Sequence, residues 1–128
     1  MPINSYRDLE VWQLSMELAR RVYPATASMA WPHRQELGGQ MRKAAVSVPS
    51  NIAEGFRQGA DGAYLRHLKI AAGSTAELET QAQLATELRL WTDDAVRGIP
   101  ELTERTARML AALIRALDAR KKARSKRR

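Results

Sequence analysis

Seven of the last nine residues are cationic: Arg120, Lys121, Lys122, Arg124, Lys126, Arg127 and Arg128. Such a run neutralises phosphates without reading bases. The chemistry it offers is salt-sensitive, sequence-independent attraction to a nucleic-acid backbone. A second basic set, Arg42, Lys43, Arg57, Arg66 and Lys69, lies in a stretch that also holds Arg34 and is opposed only by Glu36, Glu54 and Asp61. The formal charge of +7 comes entirely from the tail, because the first 119 residues hold 14 bases against 14 acids. The neutral body is itself polarised: Glu77, Glu79, Glu87, Asp93, Asp94, Glu101 and Glu104 face only Arg89 and Arg97 in residues 71–104. That asymmetry serves solubility, or orients packed subunits, or repels a polyanion from one face.

The residues for catalysis are few. With no cysteine, there is no thiol nucleophile, thiolate zinc site or iron–sulfur cluster. The two histidines, His33 and His67, have no second His or carboxylate at ligand spacing on a shared helix face, and the Glu-x-x-His pair of a di-metal bundle is missing. His67 reads as a surface or groove residue beside Arg66 and Lys69. No nucleophile turn and no phosphate-binding loop occurs in the sequence. The chain is expected to be non-enzymatic, with no metal and no cofactor.

One further cluster stands out. Ser47, Pro49, Ser50, Asn51, Glu54 and Gly55 lie inside a helical apolar pattern. Ser47, Ser50 and Asn51 would satisfy the carbonyl that Pro49 leaves without an N–H partner, or line an interaction groove at a kink. Of the tryptophans, Trp12 is expected in the core, whereas Trp31 lies in a loop, open to a nucleobase or a subunit contact.

Four helices must position these groups. The first carries two stripes, Leu9, Trp12, Met16, Ala19, Tyr23 and Val11, Leu14, Leu18, Val22, which together exceed what one core needs. Pro24 is expected to end or kink it. The second runs from near Leu37 to about Gln58 in phase across Pro49, so it reads as one kinked helix. Asp61 is the expected N-cap of a third, from about Ala63 to Trp91. Small residues crowd its middle. Thr92 caps a fourth, which Gly98 and Pro100 kink or interrupt. The result is an all-α antiparallel up-down four-helix bundle over residues 1–119, with a basic C-terminal tail over 120–128 that is disordered or a frayed helix end. No run is long and apolar enough for a membrane span, and a cytoplasmic protein is the default.

Three segments are similar to one known family: Tyr6-Arg7-Asp8-Leu9-Glu10-Val11-Trp12-Gln13, Ala44 to Gly55 with its Pro-Ser-Asn-Ile-Ala-Glu-Gly core, and Ala71 to Gln81. They resemble the four-helix-bundle proteins encoded in 23S ribosomal RNA intervening sequences. That family is similar to the accessory variability protein of diversity-generating retroelements, a homopentamer that binds a reverse transcriptase and nucleic acid. The resemblance implies a four-helix bundle and a homopentamer, and it supplies no catalytic residues. It leads to two expectations. One is an oligomeric adaptor that binds RNA or other nucleic acid, with the tail making most phosphate contacts and Arg42, Lys43, Arg57, Arg66 and Lys69 secondary. The other is a protein–protein scaffold that recruits a partner enzyme such as a reverse transcriptase.

Overall fold

The computed structural model describes residues 3–127; Arg128, one of the tail cations, lies outside them. A single turn, Tyr6–Asp8, precedes α1 (Glu10–Ala27), α2 (Leu37–Gln58), α3 (Asp61–Glu87), the one-turn α4 (Asp93–Val96) and α5 (Ile99–Lys126). No strand occurs among the described residues. The four long helices alternate in direction and form the expected bundle.

The opening turn explains the first motif. Asp8 accepts hydrogen bonds from the Asn4 and Ser5 N–H groups at 3.1 Å, and the Ser5 hydroxyl caps the turn. Tyr6 meets Trp12 edge-on, with ring centroids 5.3 Å apart. Gln13 donates to the Arg7 carbonyl at 2.8 Å, tying the turn to α1.

The two stripes of α1 divide. Val11, Leu14, Leu18 and Val22 are buried in the bundle. Trp12 and Met16 are half-buried, and Tyr23 is 49% exposed. Of the two expectations for Pro24, an end or a kink, the end is corrected: α1 continues to Ala27 with Pro24 inside it. Pro24 and Arg20, whose carbonyl it frees, both lie on the solvent side. Ala25, Thr26 and Met29 beyond it are almost fully buried, and their packing holds the last turn.

α2 keeps its expected limits and runs through Pro49 as one helix. Gly59 and Ala60 link it to α3. Asp61 is not the cap; Ala60 is, and Asp61 is the first residue of α3. The helix ends at Glu87, earlier than the periodicity predicts, because Arg89 adopts a left-handed φ of 56°. The Leu90 N–H then bonds the Ala85 carbonyl and the Arg89 N–H the Thr86 carbonyl, a Schellman ending. Thr92 does cap the next turn, through the Ala95 N–H. Gly98, at φ 83°, separates that turn from α5, which has Pro100 in its first turn.

Of the two expectations for the tail, disorder or a helix end, the structure has the helix. α5 passes Ala119 without a break and continues to Lys126. Residues 120–126 are therefore its last turns. Two groups of buried residues fill the bundle. One gathers Leu18, Val22, Met41, Leu78 and Ile99; the other gathers Val48, Ile52, Leu68, Leu110 and Leu117.

Candidate nucleic-acid interface

The helical tail has a partner in the body. Arg120 and Arg124, one turn apart, each donate to a different oxygen of the Asp61 carboxylate at 2.6 Å. The Asp61 side chain is only 10% exposed. The hydrogen bond from Arg120 holds its carboxyl below the usual value, helped by the charges of Arg120, Arg124 and Lys121 and opposed by burial. Lys122 pairs within α5 with Asp118 at 3.2 Å. Lys126 and Arg127 are exposed and form no ion pair among the described residues.

This docking carries Lys121 to the start of α3. A groove of about 460 Å³ between α3 and α5 is lined by Gly62, Leu65, Arg66, Lys69, Ile70 and Lys121. Three cations from two helices thus share one depression. The structure brings Arg66 and Lys69 of α3 to the same depression as Lys121 of the tail.

The other sequence-derived cations lie elsewhere. Arg42 donates to the Thr26 hydroxyl at 2.9 Å and to the Arg34 carbonyl at 3.3 Å, joining α2 to the end of α1 at the far end of the bundle. Lys43 is exposed on the same part of α2. Arg57 is at the tail end of the bundle, 5.7 Å from the Tyr6 ring centroid. Trp31 is 67% exposed in the α1–α2 connection, whereas Trp91 is buried and donates to Thr86.

The polar cluster around Pro49 does something other than serve the freed carbonyl. Ser47 pairs with Ser74 across to α3 at 2.8 Å. Asn51 donates to the Ser47 carbonyl at 2.9 Å. Its Oδ1 lies 3.0 Å from His67 Nδ1, and Gln58 lies 3.2 Å from His67 Nε2. With Nδ1–H donating to Asn51, Nε2 accepts from Gln58. His67 is thus buried at 5% exposure, not a surface or groove residue. Glu54 is exposed 4.0 Å from its Nδ1. Gly55 is buried against His67 and Tyr64. The second and third motifs therefore meet each other across the α2–α3 seam.

Pro49 and Ser50 also border a second depression. It is an open apolar groove of about 600 Å³ between α1 and α2, with Trp12, Met16, Tyr23 and Val46 in its walls. This is where the surplus stripe of α1 goes. Among the described residues no group of three or more His, Asp or Glu could hold a metal, and no helix is long and apolar enough to cross a membrane.

The three motifs, packed as one turn and one helix seam, fall, all but Tyr6, inside a match to the family model for the 23S rRNA-intervening sequence protein, which spans residues 7–112. The chain belongs to that family. A protein of unknown function from the S23 ribosomal protein family of Bacteroides thetaiotaomicron, known from a crystal structure, is similar in fold. Its TM-score is 0.73 at 19% identity, over 81% of this chain and 97% of that chain. No curated protein matches significantly. The intervening-sequence match includes Asp61, Arg66 and Lys69 and stops short of the tail that docks on them.

Sequence reasoning missed Asp61 as the anchor of the tail. Its partners lie 59 and 63 residues away. The only signal was the one-turn spacing of Arg120 and Arg124, which sets both on one face of a continued helix.

Proposed function

We propose that this intervening-sequence protein is a non-enzymatic, cytoplasmic, oligomeric bundle that binds RNA or other nucleic acid electrostatically at its α3–α5 end. The observation that carries this reading is the shared groove of Arg66, Lys69 and Lys121. Lys126 and Arg127 extend the same positive field along α5. The outer edges of Arg120 and Arg124 add to it, since a guanidinium has five N–H donors and Asp61 occupies one side. Arg42 takes no direct part in this reading, because it lies at the other end of the bundle, where it donates to the Thr26 hydroxyl and the Arg34 carbonyl. Glu77, Glu79 and Glu87 of α3 and Asp93 and Asp94 of α4 lie away from this end and orient a polyanion toward it.

The test is binding of a structured RNA across a salt series. The intact chain is compared with a variant carrying Arg66→Gln, Lys69→Gln and Lys121→Gln. The slope of log affinity against log salt should become shallower by roughly 0.9 for each duplex phosphate that the variant no longer neutralises. Equal slopes for the two proteins would remove the groove from the interface.

A second reading is a scaffold that recruits a partner enzyme such as a reverse transcriptase. The open apolar groove between α1 and α2 favours it, and it also supports self-association of the kind that the resemblance to a homopentamer implies. Partners retained from nuclease-treated lysate, and absent with Val46→Asp, would favour the scaffold.

A further inference from the structure

Beyond Leu117 the inward face of α5 has no buried apolar residue left. A helix whose apolar stripe runs out has nothing to hold its next turns against a neighbour. The Asp118–Lys122 pair supports the helix locally and docks it on nothing. Asp61 is the one acid of another helix that pairs with residues 120–127 among the described residues. It grips Arg120 and Arg124 from below. Their side chains stay 53% and 60% exposed, so each keeps donors toward solvent. Lys121 Nζ, between them, lies 3.8 Å from where a Gly62 Cβ would stand, on the wall of the α3–α5 groove.

We propose that Asp61 is the positioning residue of the phosphate-binding face: it fixes the last turns of α5 so that Lys121 and the outer edges of Arg120 and Arg124 join Arg66 and Lys69 before any ligand arrives. The inference rests on the nucleic-acid reading above and concerns what prepares that site. An acid in a polyanion site ordinarily opposes binding by charge alone. Here the geometric gain exceeds that repulsion. An undocked tail must order several long side chains when it binds, and a docked tail has already done so. The docking is an attachment of a segment outside the family match, residues 113–127, to a residue inside it.

The two effects have opposite signs, so one substitution separates them. Asp61→Asn raises the net charge by one and keeps every cation. Structured-RNA affinity of the full chain, measured well below its melting temperature, should nevertheless fall by about fivefold or more, as expected when one or two flexible side chains must be ordered on binding. Amide exchange of residues 120–126 should accelerate while α1 and α2 remain protected. Asp61→Glu, which keeps the carboxylate, should recover most of the affinity and the protection. Affinity of Asp61→Asn equal to or above the wild type overturns the assignment of Asp61 and leaves the binding reading intact. Unchanged exchange at 120–126 also overturns it. A wild-type chain without salt-dependent RNA affinity overturns both. If Asp61→Asn melts too low to assay, amide exchange of the wild-type chain decides: residues 120–126 as unprotected as an undocked helix end overturn the proposal, and protection approaching that of residues 110–117 supports it.

Discussion

Gly55 on α2 lies directly against His67 on α3, so close that a Cβ on Gly55 would stand 2.7 Å from the His67 Cβ. It would also meet Tyr64 Cδ1 at 3.1 Å. Neither atom is the loose end of a side chain. Gly55→Ala should therefore destabilise the fold by about 1–3 kcal/mol through overpacking, despite the better helix propensity of Ala. A denaturant titration checks it; an unchanged midpoint would mean that the seam yields.

Gly73, in the middle of α3, has open space at its Cβ position and helical backbone. Gly73→Ala should raise stability by about 0.5–1 kcal/mol, seen as a higher melting temperature. The two glycines thus predict opposite signs for one chemical change, which separates packing from propensity.

Asn51 supplies the acceptor for Nδ1 of the buried His67. Asn51→Ala leaves that donor without a close partner, since Glu54 is 4.0 Å away. The expected loss is about 1–3 kcal/mol in a urea titration at neutral pH. A loss of a few tenths would show that Glu54 or water takes its place.

Asp61 titrates below its ordinary 3.8 in the folded chain, first because Arg120 donates to it and then because Arg120, Arg124 and Lys121 surround it. The unfolded chain therefore binds this proton at a higher pH than the folded chain. The stabilisation is complete above the ordinary value and is lost as pH falls through the lower folded value. Between pH 5 and pH 3 the wild type should lose more of its denaturant midpoint than Asp61→Asn. Parallel losses would show that other carboxylates govern the acid limb.

Arg89 holds the left-handed position that closes α3. Arg89→Gly should stabilise by about 1 kcal/mol, because glycine takes this backbone conformation without a Cβ clash. Thermal unfolding gives the answer, and a lower melting temperature would mean that the Arg side chain contributes more than its strain removes.

These sites show where the sequence could be read and where it could not. The limits of α2 were legible because apolar spacing keeps phase through Pro49 and because turn residues follow Gln58. The end of α1 was not, because Pro24 is a local stop signal and its override comes from burial of Ala25, Thr26 and Met29 in other helices' packing. The end of α3 was hidden for the opposite reason: Arg carries no turn signal, and only the backbone shows its left-handed state. Within the candidate interface, the cations were visible as residue types. Their grouping was not, because Asp61, Lys121 and Arg66 meet through topology. Composition alone put Arg42 among the phosphate contacts, and composition could not show that it hydrogen-bonds Thr26 and the Arg34 carbonyl at the other end of the bundle. His67 looked exposed beside two charged neighbours, and its partners Asn51 and Gln58 came from another helix.

The alternating helices place neighbours of very different separation side by side. α2 and α3 are joined by Gly59 and Ala60 alone, so their seam closes with a small loss of chain entropy. α1 and α5 also adjoin, with Arg105 3.8 Å from Glu10, and just ahead of α5 Arg21 reaches the Arg97 carbonyl across 76 residues of sequence. On a ribosome the first helix would therefore emerge long before its last neighbour. Until α5 is made, the face of α1 that carries Val11 and Leu14 has α2 on one flank and water on the other. A chain synthesised only as far as Gly98 would leave an apolar gutter on α1, which α5 covers in the folded protein.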